Sequence, residues 1–237
     1  MAAELEIAAG LGGRVVLPPS LFLLTMGLGC VAAGHGAGDV WLHGRLFLHR
    51  SPWPHMLRHF ALPPGLQLRQ LSGGTAPYAA LGSAFAVAMF PHAFELLAFM
   101  ELYALAVPIL VPDLPLMLKI ERLTTFPAAS AELFSMRDAV FGDELAGGTP
   151  PGHAYAPYWA HRDGAMGVPA AHFEHWWGLS YFTLLPHVSE FASMPDLVAR
   201  LGALDRRAVA SAMRREHADL AQASVAAMVE TLRELLA

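Results

Sequence analysis

Long apolar runs broken by prolines and glycines set the rhythm of this chain. The clearest unit is AFAVAMFPHAFELLAFMELYALAVPILVPDLP, residues 84–115. AFAVAMFP (84–91) reads as a strand closed by a proline. AFELLAFMELYALA (93–106) has Phe94, Leu97, Ala98, Leu102 and Leu105 at helical spacing. VPILVPD (107–113) reads as a second strand. Both strands are apolar on both faces, as in a parallel sheet covered by helices. A membrane reading competes with this one. Residues 15–34 carry no charge and reach the ~20 residues of a span, and 76–118 is long enough for two. Against it, Pro18, Pro19, Gly27, Gly29 and Gly34 weaken a helix over 15–34. Glu95 and Glu101 inside 76–118 would cost roughly 2.5–3.5 kcal/mol each at a helix centre.

Weaker patterns fill in the rest. Arg14–Leu17, Leu21–Leu24 and Val40–Leu48 read as strands. Residues 50–65 read as a proline-rich loop with a short helix around His55–Phe60. GLQLRQLSGG (65–74) alternates Leu66, Leu68 and Leu71 before a glycine pair, a strand and turn. Residues 75–83 read as a short helix, and so does the stretch after Pro115. Residues 127–170, rich in Ala, Gly and Pro, read as an inserted functional loop. One aromatic helix is expected over 172–185, a last strand over 187–193, and two amphipathic helices over 194–236. In the last of these, Val209, Met213, Leu220, Val225, Met228, Leu232 and Leu235 are expected to share a face. The expected fold is α/β, a Rossmann-like parallel sheet flanked by helices, with C-terminal amphipathic helices.

Composition narrows the chemistry. Of 237 residues, 55% are hydrophobic and 15% charged, and the net charge is −5. That leaves no basic footprint for nucleic acid. The arginine doublets 206–207 and 214–215 are expected to face solvent on a helix. The single cysteine, Cys30, rules out an internal disulfide and reads as an inert buried thiol. Glu4 and Glu6 stand where a secretory signal would be positive, so no signal peptide is expected. Among 12 histidines, His172 and His175 share a helix face, with His153 and His161 upstream. A zinc site needs three or four converging ligands, so no metal is expected. Ser72-Gly73-Gly74-Thr75 lacks the Lys-Ser/Thr ending of a P-loop, and no G-x-S-x-G elbow is present.

The run from Tyr78 to Pro112 resembles the nucleotide-sugar half of a GT-B-fold glycosyltransferase. In that family a helix glutamate stands seven residues before a proline that opens the next strand. Glu101 and Pro108, in ELYALAVPILVP, keep that spacing. WWGLSYFTLLPHVSEFASMPDLVARLGAL (176–204) resembles the closing segment of uncharacterised eukaryotic GT-B-like proteins, through Trp176, Pro186-His187, Phe191-Ala192-Ser193 and Leu197. The likeness covers residues 65–237. It implies that a nucleotide-sugar donor is bound and a hexose passed to a glycan, lipid or protein acceptor, without a metal cofactor. Glu101 would accept hydrogen bonds from the ribose diol. His92, Ala93, Phe94 and Glu95 would lie at the helix start facing the diphosphate, with Ser72, Gly73 and Tyr78 also on the donor side. HGRLFLHR (43–50) resembles a phosphate-contacting Gly-Arg…Lys pair, with Arg45 and Arg50 in those places. Many relatives of this kind work in the secretory pathway.

Three departures stand beside the likeness. The family glycine before the proline-valine pair is replaced by Ala106-Val107. The first glutamate of the two-glutamate signature, eight residues before Glu101, is Ala93. Residues 1–60 are too short for an acceptor domain and read as its remnant, leaving 61–237 as the donor-binding domain. A non-catalytic pseudoenzyme and a membrane-associated interaction protein are the alternative functions.

Overall fold

The computed structural model describes residues 38–43, 57, 59–70, 78–91, 97–123 and 170–236. Five strands form one sheet: β1 Asp39–His43, β2 Gln67–Gln70, β3 Ala86–Met89, β4 Ile109–Pro112 and β5 Ser189–Phe191. Every pairing is parallel and the order is β2-β1-β3-β4-β5, so the protein has a Rossmann-like α/β fold. The helices are α1 Tyr78–Ser83, α2 Leu97–Ala104, α3 Leu114–Leu123, α4 Ala170–Gly178, α5 Tyr181–Leu184, α6 Met194–Ala203 and α7 Arg206–Leu236.

The strand–helix–strand reading of 84–113 holds. β3 and β4 are buried along their whole length and pair Val87 with Ile109 and Ala88 with Leu110. A parallel pair needs a crossover, and α2 supplies it. The described residues of 76–118 thus form short helices and two sheet strands, and none of those helices is long and apolar enough to cross a membrane. Pro108 sits just ahead of β4, where its missing N–H costs no ladder bond, and its carbonyl accepts from Val87 at 2.9 Å. β1 comes from within the first 60 residues, yet it lies between β2 and β3, so the sheet does not begin at residue 61. Its edge with β2 opens where Gly38, at φ 103°, meets Gly65. A Cβ on Gly38 would come within 1.9 Å of the Gly65 carbonyl oxygen, so only glycine allows that approach.

The helix expected over 172–185 is two helices. α4 ends at Gly178, and Ser180 takes an extended conformation (φ −75°, ψ 156°). The hydroxyls of Ser180 and Thr183 donate to the Trp177 carbonyl at 2.7 and 3.0 Å. They satisfy the carbonyl that a continuing helix would have used. An aromatic column then ties the layers together. Phe173 stacks on Trp177 (5.8 Å), Trp177 lies 5.4 Å from Phe182, Phe182 meets Phe99 edge-on at 5.0 Å, and Phe99 stacks on Tyr103 at 6.2 Å. Such pairs contribute about 0.5–1.5 kcal/mol each beyond area burial. The Tyr103 hydroxyl donates to the Pro186 carbonyl at 3.1 Å. That bond joins α2 to the turn that enters β5.

The two terminal helices form as the periodicity indicates. Ser193 caps α6, accepting from the Asp196 N–H at 3.2 Å, while Asp196 accepts from the Ala192 N–H at 2.8 Å. α7 lies against α2. Its expected apolar face is split, however. Met213 is buried and Val209, Leu220 and Met228 are half-buried, but Val225 and Leu232 are exposed. Arg206 also departs from expectation. Its guanidinium turns inward and donates to the carbonyls of Ala84 (2.8 Å) and Gly82 (3.4 Å) at the end of α1. A cation there satisfies orphan carbonyls and complements the helix dipole. Arg207, Arg214 and Arg215 are exposed, as expected. The expected strands Arg14–Leu17 and Leu21–Leu24, Cys30, and the loop over 127–169 lie outside the described residues.

Candidate functional site

Because all five strands run the same way, their carboxyl ends meet at one edge of the sheet. In open α/β sheets, ligands bind outside that edge where the strand order reverses. Here the chain leaves β1 for β2 on one side, then crosses back over β1 to β3. The crevice therefore opens between the ends of β1 and β3. The two strands stay joined to the rim, where the Phe90 N–H donates to the His43 carbonyl at 2.8 Å. Toward β4 and β5 the same edge is apolar. Phe90 and Phe191 are fully buried and meet edge-on at 5.8 Å, and Pro91 is buried beside them. One step back along β1, Trp41 Nε1 is buried with no hydrogen-bond partner among the described residues.

Two carboxylates near this edge serve structure. Asp113 follows β4 and caps α3, accepting from the Leu116 N–H at 2.8 Å, and its own N–H donates to the Phe191 carbonyl at 2.9 Å. Asp196 does similar work for α6. The Ala192 N–H, and then Arg200 at 3.0 Å, hold its carboxyl below the usual range. The sequence reading ended a strand on Asp113 and missed the cap. An aspartate between an apolar strand and an apolar-periodic stretch was the available signal.

Glu101 differs from both. It lies on α2, four residues (~6 Å) past Leu97 and three (~4.5 Å) before the helix ends at Ala104 and turns into β4. It is half-buried, and its carboxylate makes no hydrogen bond or ion pair among the described residues. The backbone below it is specific. The Ala106 N–H donates to the Tyr103 carbonyl (2.9 Å) and the Val107 N–H to the Leu102 carbonyl (3.1 Å). Ala106 itself has φ 54°. This is a Schellman cap with an alanine in the left-handed place that glycine normally fills. Ala106 thus adopts a conformation that glycine favours.

Of the other sequence-derived candidates, Tyr78 opens α1, with its side chain outside the described residues. Ser72, Gly73, His92, Ala93, Phe94, Glu95, Arg45 and Arg50 also lie outside them. In chain order they fall in the connections that follow β1, β2 and β3. His175 is exposed, and no group of three or more potential metal ligands occurs among the described residues. Comparison of the chain with protein-family models, curated proteins and solved structures gives no match.

Proposed function

We propose that this protein binds a nucleotide sugar at the carboxyl edge of its sheet and acts as the donor half of a GT-B-type glycosyltransferase, transferring a hexose. The observation that carries the reading is the Glu101–Pro108 register. Glu101 lies on a helix and its carboxylate makes no hydrogen bond or ion pair among the described residues; the helix ends in a left-handed cap at Ala106 and is followed by a buried strand.

In this reading Glu101 accepts hydrogen bonds from both ribose hydroxyls, which a free carboxylate does better than any neutral side chain. The segment His92–Glu95 faces the diphosphate. Stabilisation of the leaving diphosphate rests on backbone N–H groups and a helix dipole, with Arg45 and Arg50 as further phosphate contacts. Ser72, Gly73 and Tyr78 complete the donor side. Ala93 favours a second reading, a fold that binds the donor without turning it over, because the first glutamate of the retaining signature is missing there.

The test is a thermal-shift series with UDP, GDP and their sugar conjugates. A ligand held only by the native state raises the melting temperature, by ~2.7 kcal/mol of stability at a hundred times Kd. One nucleotide is expected to shift the native protein and to lose most of that shift in Glu101→Ala. An unchanged shift in a folded Glu101→Ala protein refutes the role of Glu101. No shift with any nucleotide refutes donor binding by this chain. Product formation from the bound donor separates the transferase from the non-catalytic reading.

A further inference from the structure

Helix α7 exposes a surface that its packing does not explain. Its buried side, through Ala210, Met213 and Ser224, accounts for its seat on the domain. A step of about 100° per residue places Arg207, Arg214, Val225, Val229 and Leu232 within roughly 40° of one line along the helix, with Arg215 at its border. All six are exposed, Val225 by 43%, Val229 by 37% and Leu232 by 50%. The carboxylates of Glu216, Asp219 and Glu230 fall away from that line, roughly 120–180° around the helix. The line is therefore cationic over its first half and aliphatic over its second. Helix α7 has 31 residues, so the line runs along an element ~46 Å long.

The cations are held against local electrostatics. Arg206 and Arg207 occupy the first turn, where the helix dipole disfavours positive charge. Arg214 and Arg207 both oppose the charge of Arg206. Arg207, Arg214 and Arg215 make no ion pair among the described residues. The whole chain carries a net charge of −5, so this line is a local exception to an acidic molecule. A row of unpaired arginines continued by a row of aliphatic side chains matches a surface that is anionic outside and apolar just beneath.

We infer that this face of α7 docks the protein onto an anionic lipid surface, with the arginines at the phosphate headgroups and Val225, Val229 and Leu232 in the interfacial layer. A lipid surface is favoured over an acidic protein by the pairing of charge with aliphatic area. The line follows a single helix without a break, and its aliphatic half offers an acidic polypeptide no charge to pair with, whereas an anionic bilayer takes both halves. The contact is made by the surface of α7, and no helix among the described residues is long and apolar enough to cross a membrane. It acts at short range, because the net negative charge opposes approach until the line lies within about a Debye length, ~8–10 Å. The inference does not depend on the donor reading.

The experiment is sedimentation of the full chain with phosphatidylcholine vesicles, with and without phosphatidylserine, at low and physiological salt. Binding is expected only with phosphatidylserine. It should weaken about fivefold for each of Arg207→Gln, Arg214→Gln and Arg215→Gln. The pair Val229→Ser and Leu232→Ser should remove the part of the binding that survives salt. All five positions are exposed, so melting temperatures should not move, and that is measured alongside. Absence of binding to phosphatidylserine vesicles overturns the inference, and so does undiminished binding by the triple arginine variant. Equal capture by polyglutamate that ignores the two serine substitutions assigns the face to an acidic polypeptide, and overturns it too.

Discussion

Replacing Tyr103 with phenylalanine should reverse its effect on stability between neutral and alkaline pH. The side chain is fully buried, stacked on Phe99, with its hydroxyl donating to Pro186. At neutral pH Tyr103→Phe removes that bond, a loss of about 0.5–1.5 kcal/mol. The alkaline side works the other way. Burial first, and the negative charge of Glu216 second, push the Tyr103 pKa up to about 12. An unfolded tyrosine ionises near pH ~10. Above that pH the unfolded chain releases a proton that the folded protein keeps, so stability falls as pH rises toward 12. The loss reaches ~1.4 kcal/mol at about pH 11 and ~2.7 kcal/mol once both states are ionised. Phenylalanine has no proton to lose, and all other titrations are common to the two proteins. Urea unfolding at about pH 7.5 should find the variant less stable, and at about pH 11 equal to or more stable than the native protein. Spectrophotometric titration of tyrosinate in the folded state checks the same group directly. A stability difference of the same sign and size at both pH values would refute the argument.

Three further variants probe the backbone at Ala106 and the burial of His217. Ala106→Gly should stay within about 1 kcal/mol of the native stability, since relief of the left-handed backbone is offset by the lost methyl burial and greater unfolded-state entropy. Ala106→Val should cost ~2 kcal/mol or more, because a β-branched residue tolerates positive φ poorly; equal losses on chemical denaturation would contradict the left-handed assignment. On α7, His217 Nε2 is buried without a hydrogen-bond partner among the described residues, and burial lowers its pKa. The unfolded histidine binds a proton below pH ~6.5 while the folded one does not, so stability should fall as pH drops below that value. Denaturant midpoints at mildly acidic and neutral pH should differ less in His217→Leu than in the native protein.

How much of this was legible in the sequence depended on how local each cause is. β3, α2 and β4 were readable because apolarity on both strand faces and prolines at the boundaries act within a few residues. The break between α4 and α5 was not, because amphipathic periodicity runs through it and two hydroxyls end the helix. On α7, one set of apolar residues concealed two surfaces. Val225 and Leu232 lie only about 100° and 80° around the helix from buried Ser224, on the same side of it, so spacing alone could not sort buried from exposed. Arg206 was unreadable for a different reason: its acceptor at Ala84 is 122 positions away. Of the candidate site, the spacing of Glu101 to Pro108 stands in the sequence itself, and the role of Glu101 in donor binding is a proposal. The crevice was not legible, since a reversal of strand order exists only once the strands are paired.

The placement of β5 has a kinetic meaning. This three-residue strand pairs with β4 at Leu110–Ser189, Val111–Glu190 and Pro112–Phe191, partners far apart in the chain. During synthesis β1 to β4 emerge long before it, and until it arrives Ile109, Leu110 and Val111 form an open apolar edge. Such an edge invites pairing with another nascent chain. Docking of the segment carrying α5 and β5 closes that edge while it completes the Phe182–Phe99 contact and the Tyr103–Pro186 bond. Conditions that slow this late step should therefore reduce the yield of soluble protein before they reduce the stability of molecules already folded.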